Sequence, residues 1–177
     1  MKAKAFTIIE LLVTISVIMI LTGIVLVSYQ TGQKQLTLQR ATSKLAQDIR
    51  RVQGMAMSAK ECQPCGGVPA GGYGIYLHQG DDFYILYADG GNEQRDGNGI
   101  SGDFDIETIY IEEGVYIVNL TPATASINFK PPDPTIRLVN HGGPPDPDNV
   151  IITIALKADT SKLKTIKVNK SGLIEVD

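Results

Sequence analysis

The chain has 177 residues, 43% of them hydrophobic and 20% charged, a length and apolarity that suit a single globular domain. Sixteen Lys and Arg against nineteen Asp and Glu leave a formal net charge of −3, too balanced for a protein that coats nucleic acid through its overall charge. Two cysteines exclude a multi-bridge disulfide scaffold, and 18 Gly with 9 Pro exclude a fibrous or low-complexity chain.

The average hides a skew toward the start of the chain. Seventeen of the 24 residues from Phe6 to Tyr29 are apolar, and as a helix rising about 1.5 Å per residue this run is long enough to cross a ~30 Å hydrocarbon layer. Lys2 and Lys4 precede it, and after Tyr29 the next charge is Lys34. The positive-inside rule then places the start in the cytoplasm and the bulk of the chain outside. The run exceeds the 7–15-residue core of a cleaved secretory signal, and it contains one charge, Glu10. A carboxylate deep in a bilayer costs at least about 2.5–3.5 kcal/mol, so Glu10 either reaches the interface or has a functional partner.

The stretch Lys4-Ala5-Phe6-Thr7-Ile8-Ile9-Glu10-Leu11-Leu12-Val13 and the apolar helix after it resemble the class III signal of type IV pilins and type II secretion pseudopilins. The resemblance implies cleavage between Ala5 and Phe6 by a prepilin peptidase and methylation of the new Phe6 amine. It also implies that Glu10 assists subunit assembly by meeting that amine on a neighbouring subunit, replacing two unpaired charges with one pair. The family usually has Gly where this chain has Ala5. The domain plan that follows is a leader over 1–5, a membrane or filament-core helix over 6–30, an amphipathic stem helix over 31–60 and a β-rich head over 61–177.

Between Thr31 and Lys60, Leu38, Ala41, Leu45, Ile49, Val52, Ala56 and Ala59 recur at steps of three or four, which predicts an amphipathic helix. Its other faces carry Lys34, Arg40, Lys44, Arg50, Arg51 and Lys60 against Asp48 alone. Such charges suit a solvated face, and in a filament the same face could meet an acidic neighbour.

Beyond Lys60 the pattern predicts short strands at 73–77, 83–88, 106–111, 115–120, 126–129, 135–139, 150–156, 165–169 and 173–176, separated by Gly, Pro, Asn and Asp clusters. The expected fold class is therefore α+β, a long N-terminal helical stem packed on a β-rich head. One helix followed by about nine strands is similar to the H-type minor pseudopilins, which implies two small antiparallel sheets. The single-sheet head of major pilins ranks second.

Cys62-Gln-Pro-Cys65 follows the helix in a Gly-rich turn. No βαβ context supports a thioredoxin motif and no second cysteine pair supports zinc, so a small disulfide or an inert pair is expected outside the cytoplasm. From Asp81 to Glu113 ten acidic residues face only Arg95, and Asp89, Asn92, Asp96, Asn98, Asp103 and Asp105 alternate with glycines as a calcium loop would require, without EF-hand spacing. A solvated hairpin loop is the competing expectation. Lys162, Lys164, Lys167 and Lys170 make the C-terminal hairpin basic. They could contact DNA phosphates, as a basic C-terminal region does in some H-like minor pilins of competence systems, but solvent-facing strand lysines without interleaved aromatics are the commoner pattern. Asn140–Asn149 is a Pro-rich surface loop on composition.

An enzyme on a membrane anchor is the competing class, and neither His78 nor His141 lies in a nucleophile or metal motif. The expected protein is a structural subunit rather than an enzyme. It would be a minor pseudopilin of a type II secretion system, in the bacterial inner membrane with its head periplasmic, or instead a minor pilin of a type IV pilus or competence apparatus. Expected partners are other pilin-like subunits, prepilin peptidase, the inner-membrane assembly platform and membrane lipid. DNA is disfavoured, and no cofactor is required although calcium is admitted.

Overall fold

A computed structural model describes residues 7–131 and 135–177. One helix, α1, runs from Ile8 to Met57, and nine strands follow: β1 (Gly72–His78), β2 (Phe83–Asp89), β3 (Phe104–Tyr110), β4 (Val115–Thr121), β5 (Thr124–Lys130), β6 (Thr135–Asn140), β7 (Asn149–Leu156), β8 (Asp159–Asn169) and β9 (Ile174–Val176). The chain divides into two compact units, one ending at Leu36 and the other spanning Thr37–Asp177.

In the second unit all strand pairings are antiparallel and form two sheets, of order β3-β2-β1-β5-β6 and β4-β7-β8-β9. The expected α+β class with two small sheets is what the chain adopts. Alternation explains the core. Tyr73, Ile75 and Leu77 of β1, with Ala125, Ile127 and Phe129 of β5, turn one face of the larger sheet inward. Ile152 and Ile154 of β7 with Ile166 and Val168 of β8 do the same for the smaller sheet. The helix supplies Leu38, Ala41, Leu45, Ile49, Val52 and Ala56 to the same cluster, as the three-and-four spacing requires. Among the described residues every buried hydrophobic lies at or after Leu38, so the unit Thr37–Asp177 contains its own core. Asp48, on the buried side of the helix, accepts a 2.6 Å hydrogen bond from the Tyr84 hydroxyl, whose pKa burial and that carboxylate both push up.

Ala59 departs from the expected stripe and is exposed, because the helix has already ended. The Lys60 amide donates back to the Met55 carbonyl at 3.1 Å and the Ala59 amide to the Ala56 carbonyl at 2.9 Å, a Schellman stop. That stop puts Ala59 at φ 44°, where a Cβ is disfavoured by roughly 1–2 kcal/mol. Ala59→Gly is therefore expected to stabilise the unit Thr37–Asp177 by about 1 kcal/mol in urea unfolding; an unchanged midpoint would contradict the assigned stop.

Candidate functional site

The first unit presents an exposed apolar surface. Ile8–Leu26 has a mean hydropathy of 2.6 and none of it is buried. Two of its hydroxyls turn back on the helix. Thr14 Oγ1 donates to the Leu11 carbonyl at 2.9 Å and Ser16 Oγ to the Leu12 carbonyl at 2.8 Å, so neither hydroxyl needs water. Thr7 caps the helix, its Oγ1 accepting from the Glu10 amide at 3.3 Å.

Thr7-Ile8-Ile9-Glu10 is thus an S/T-x-x-E capping pattern, which sequence reasoning missed although the spacing was readable. It gives Glu10 a place in the helix's first turn, where the macrodipole favours a negative charge. The side chain itself is exposed. Ala5 and Phe6, the expected cleavage and methylation residues, lie outside the described residues.

At the far end of α1, Cys62 and Cys65 form a disulfide with Cα atoms 5.2 Å apart. It closes a small loop in which the Cys62 amide also donates to the Gly67 carbonyl at 2.8 Å, and the Tyr73 hydroxyl donates to the Lys60 carbonyl beside it.

The acidic segment folds over the second face of the larger sheet. Gly74 of β1 and Gly71 just before it leave room here for side chains of β2. A Cβ on Gly74 would fall 2.3 Å from the Tyr87 ring, and one on Gly71 1.6 Å from Asp89 Oδ1. Asp89 and Asp103, both buried, fasten the two ends of the loop. Asp89 Oδ1 accepts from the amides of Gly91 (2.7 Å) and Glu93 (3.1 Å); Asp103 accepts from Gly90 (3.0 Å) and Asp96 (2.7 Å). Arg95 grips Asp105 through two hydrogen bonds of 3.0 and 2.8 Å and lies over the Tyr76 ring at 4.8 Å. Lys130 meets Glu93 at 2.6 Å.

Of the residues expected for calcium, Asn92 donates to Asp96 at 2.6 Å and Asn98 Oδ1 accepts from the Asp105 amide at 3.1 Å, so all six have internal partners. Among the described residues no three His, Cys, Asp or Glu side chains converge as a metal site would need.

Beneath the loop, Ser126 Oγ lies 2.8 Å from His141 Nε2, a contact that no motif foretold because it joins β5 to the end of β6. Burial, then Arg95, holds the His141 pKa below its usual range. Ser126 is fully buried, so its hydroxyl is not offered to a substrate in solution. Of the four lysines, Lys164, Lys167 and Lys170 are exposed and Lys162 is half-buried; Lys170 pairs with Asp148 at 2.8 Å.

An exposed apolar helix with a carboxylate in its first turn thus precedes a unit that packs a helix on two antiparallel sheets. Residues 1–26 match the prokaryotic N-terminal methylation motif. The fold is similar to that of the type IV minor pilin FimU of Pseudomonas aeruginosa, at 11% identity and a TM-score of 0.50 over 79% of this chain and 87% of that one. A second crystal form of FimU gives 12% identity and 0.49, covering 79% and 92%. No curated protein sequence matches the chain. The chain thus carries a prepilin-type N-terminal motif, and its fold is similar to that of a type IV minor pilin.

Asp89 sets a pH test. Burial pushes its carboxyl up, the Gly91 and Glu93 amides pull it partly back, and Asp103 adds to the rise; Oδ2 is buried without a partner. A folded-state pKa above the unfolded one means stability present at low pH and lost as pH rises through the folded value. Asp89→Asn keeps an oxygen for the two amides and abolishes that loss. Its unfolding free energy relative to the parent head should therefore rise between about pH 4 and pH 7 in urea titrations; a difference that stays constant or falls would contradict the assignment.

Proposed function

We propose that this chain is a minor, non-enzymatic subunit of a short pilin-like filament, a type II secretion pseudopilus, and that residues 8–26 are its assembly element. The observation that carries the reading is the uncovered apolar helix with Glu10 in its first turn. In water such a surface is untenable, whereas a bilayer accepts it before assembly and neighbouring helices accept it afterwards. Lys2 and Lys4 hold the start in the cytoplasm, leaving the head on the periplasmic side of the inner membrane.

Prepilin peptidase cuts between Ala5 and Phe6, the Phe6 amine is methylated, and the assembly platform feeds the helix among those of other pilin-like subunits. There the Glu10 carboxylate meets the Phe6 ammonium of a neighbour, and the pair fixes one stagger because any other leaves two charges unpaired in hydrocarbon. No cofactor is needed for this step. The H-type relationship within the family rests on the helix-then-nine-strand order.

A second reading, minor pilin of a type IV pilus or competence apparatus, uses the same helix chemistry and stands beside the first because the fold is shared with a type IV minor pilin.

Mass spectrometry of the mature chain should find an N-methylated Phe6, and Glu10→Val should lower incorporation into sheared filaments by about tenfold or more while the head stays folded. An intact Met1, or normal incorporation of Glu10→Val, would overturn the reading.

A further inference from the structure

Within the head a cleft of about 220 Å³ stays open between the end of α1 and β3, lined by Met55, Cys62, Pro64, Tyr73, Phe104 and Ile106. The disulfide and the bridge between Cys62 and Gly67 fix one wall, and the pairing of β3 with β2 fixes the other. Phe104 and Ile106 are 38% and 39% exposed, so the head itself leaves this apolar lining unfilled. The space suits one large apolar side chain entering from outside.

Next to the cleft, β3 offers a free backbone edge. It is the outermost strand of the larger sheet, with β2 on one side and, among the described residues, no strand on the other. The Ile111 amide donates to the Asp82 carbonyl on the β2 side at 2.8 Å, so by alternation the amides of Thr108 and Tyr110 point away from β2. No Lys or Pro in the strand blunts that edge. Charge is distributed unevenly along it. Arg95 takes Asp105 and Arg51 takes Glu107, whereas Glu112 and Glu113, just past the strand, have no ion-pair partner among the described residues. At the cleft end Lys60 and Glu61 are adjacent and of opposite sign. The unpaired acid therefore sits at the Tyr110 end of β3 and the apolar room at the Phe104 end.

We propose that the β3 edge and the cleft together bind an extended segment of a different polypeptide, with a large apolar side chain in the cleft and a Lys or Arg opposite Glu112 and Glu113. Outward amides beside a side-chain pocket are the arrangement by which a sheet takes on a further peptide strand. All strand pairs in the head are antiparallel, and the added segment runs antiparallel to β3 in the same way. It then enters at Glu112 and ends at Phe104, so its basic residue precedes the apolar one by about six to eight positions. The site belongs to the head alone. It goes beyond the assembly reading and stands whether or not that reading holds, because it uses neither Glu10 nor the apolar half of α1.

The test presents the full-length chain in lipid nanodiscs to a phage-displayed library of random linear peptides long enough to span β3 and the turn after it. Selected peptides should share a large apolar residue preceded at that distance by Lys or Arg, and should bind as synthetic peptides. Ile106→Asp, which puts a charge in the cleft, should weaken a selected peptide by about thirtyfold. Thr108→Pro, which removes an outward amide and leaves the β2 ladder intact, should weaken it by about tenfold. A second selection on the Glu112→Lys, Glu113→Lys variant should keep the apolar residue and change the basic position to Asp or Glu. That change of preference is read on bound peptides, so it tests the proposal even if Ile106→Asp or Thr108→Pro fails to fold. A selection without a shared pattern would overturn the proposal, as would a basic residue placed after the apolar one or a preference unchanged by the charge reversal. A shared pattern that matches a segment of this chain would mean a contact between copies and would overturn it too.

Discussion

The constraint on which the rest depends is the apolar surface from Ile8 to Leu26, where fourteen large hydrophobic residues are exposed within one helix. At about 1.5–3 kcal/mol for each such side chain left in water instead of buried, the deficit is roughly 20–40 kcal/mol. A folded domain is stabilised by only about 5–15 kcal/mol in total. No rearrangement of the head could offset the difference. Such a surface calls for an apolar covering from outside the head. Side-chain chemistry along the helix agrees: Thr14 and Ser16 return their protons to helix carbonyls, and Glu10 is the single carboxylate left without that option.

The head is built so that the second half of α1 can do the opposite. Leu45 and Ile49 are as buried as any residue in the chain, and the strands around them contribute to one continuous cluster. A single helix therefore meets two environments, the first half exposing apolar groups on all sides and the second confining them to a stripe. The change falls at the division between the two compact units, after Leu36. The disulfide and the Schellman stop then end the helix abruptly and hand the chain to β1, where Tyr73 ties back to Lys60.

Most of this plan was legible because periodicity and burial are the same fact seen twice. All nine expected strands exist, and most lie within two residues of their expected limits. The exceptions have physical reasons. β8 begins at Asp159 although Asp159–Lys164 shows no clean alternation, since its pairing with β7 is irregular near Ala155 and Leu156. β3 begins at Phe104, and a register shift against Leu86 and Tyr87 breaks the two-residue rhythm of that pairing. Sheet membership was not legible at all: β4 leaves the first sheet for the second and β5 returns, and nothing local encodes that exchange. The candidate site divides in the same way. Glu10 and the apolar run stand out in sequence because they are local. The partners of Asp89, Asp103 and Arg95, and the Ser126–His141 contact, depend on which strands become neighbours.

The acidic loop shows how much of a side chain's surroundings depends on that information. Oxygen-bearing side chains interleaved with glycines suit a cation, but they suit an internally tied loop equally well, because a carboxylate accepts backbone N–H groups as readily as it binds a metal. Strand pairing supplies the internal ties. The chain is bare at Gly71 and at Gly74 of β1, which leaves room for Asp89 and Tyr87 to lie across it, and Asp103 is buried and holds the loop's other end. Arg95, the one cation among ten acids from Asp81 to Glu113, then fixes the middle by gripping Asp105 and lying over Tyr76. The loop's acids thus serve the head's own fold. Glu112 and Glu113, which follow β3 and have no such duty, are the acids left to face outward.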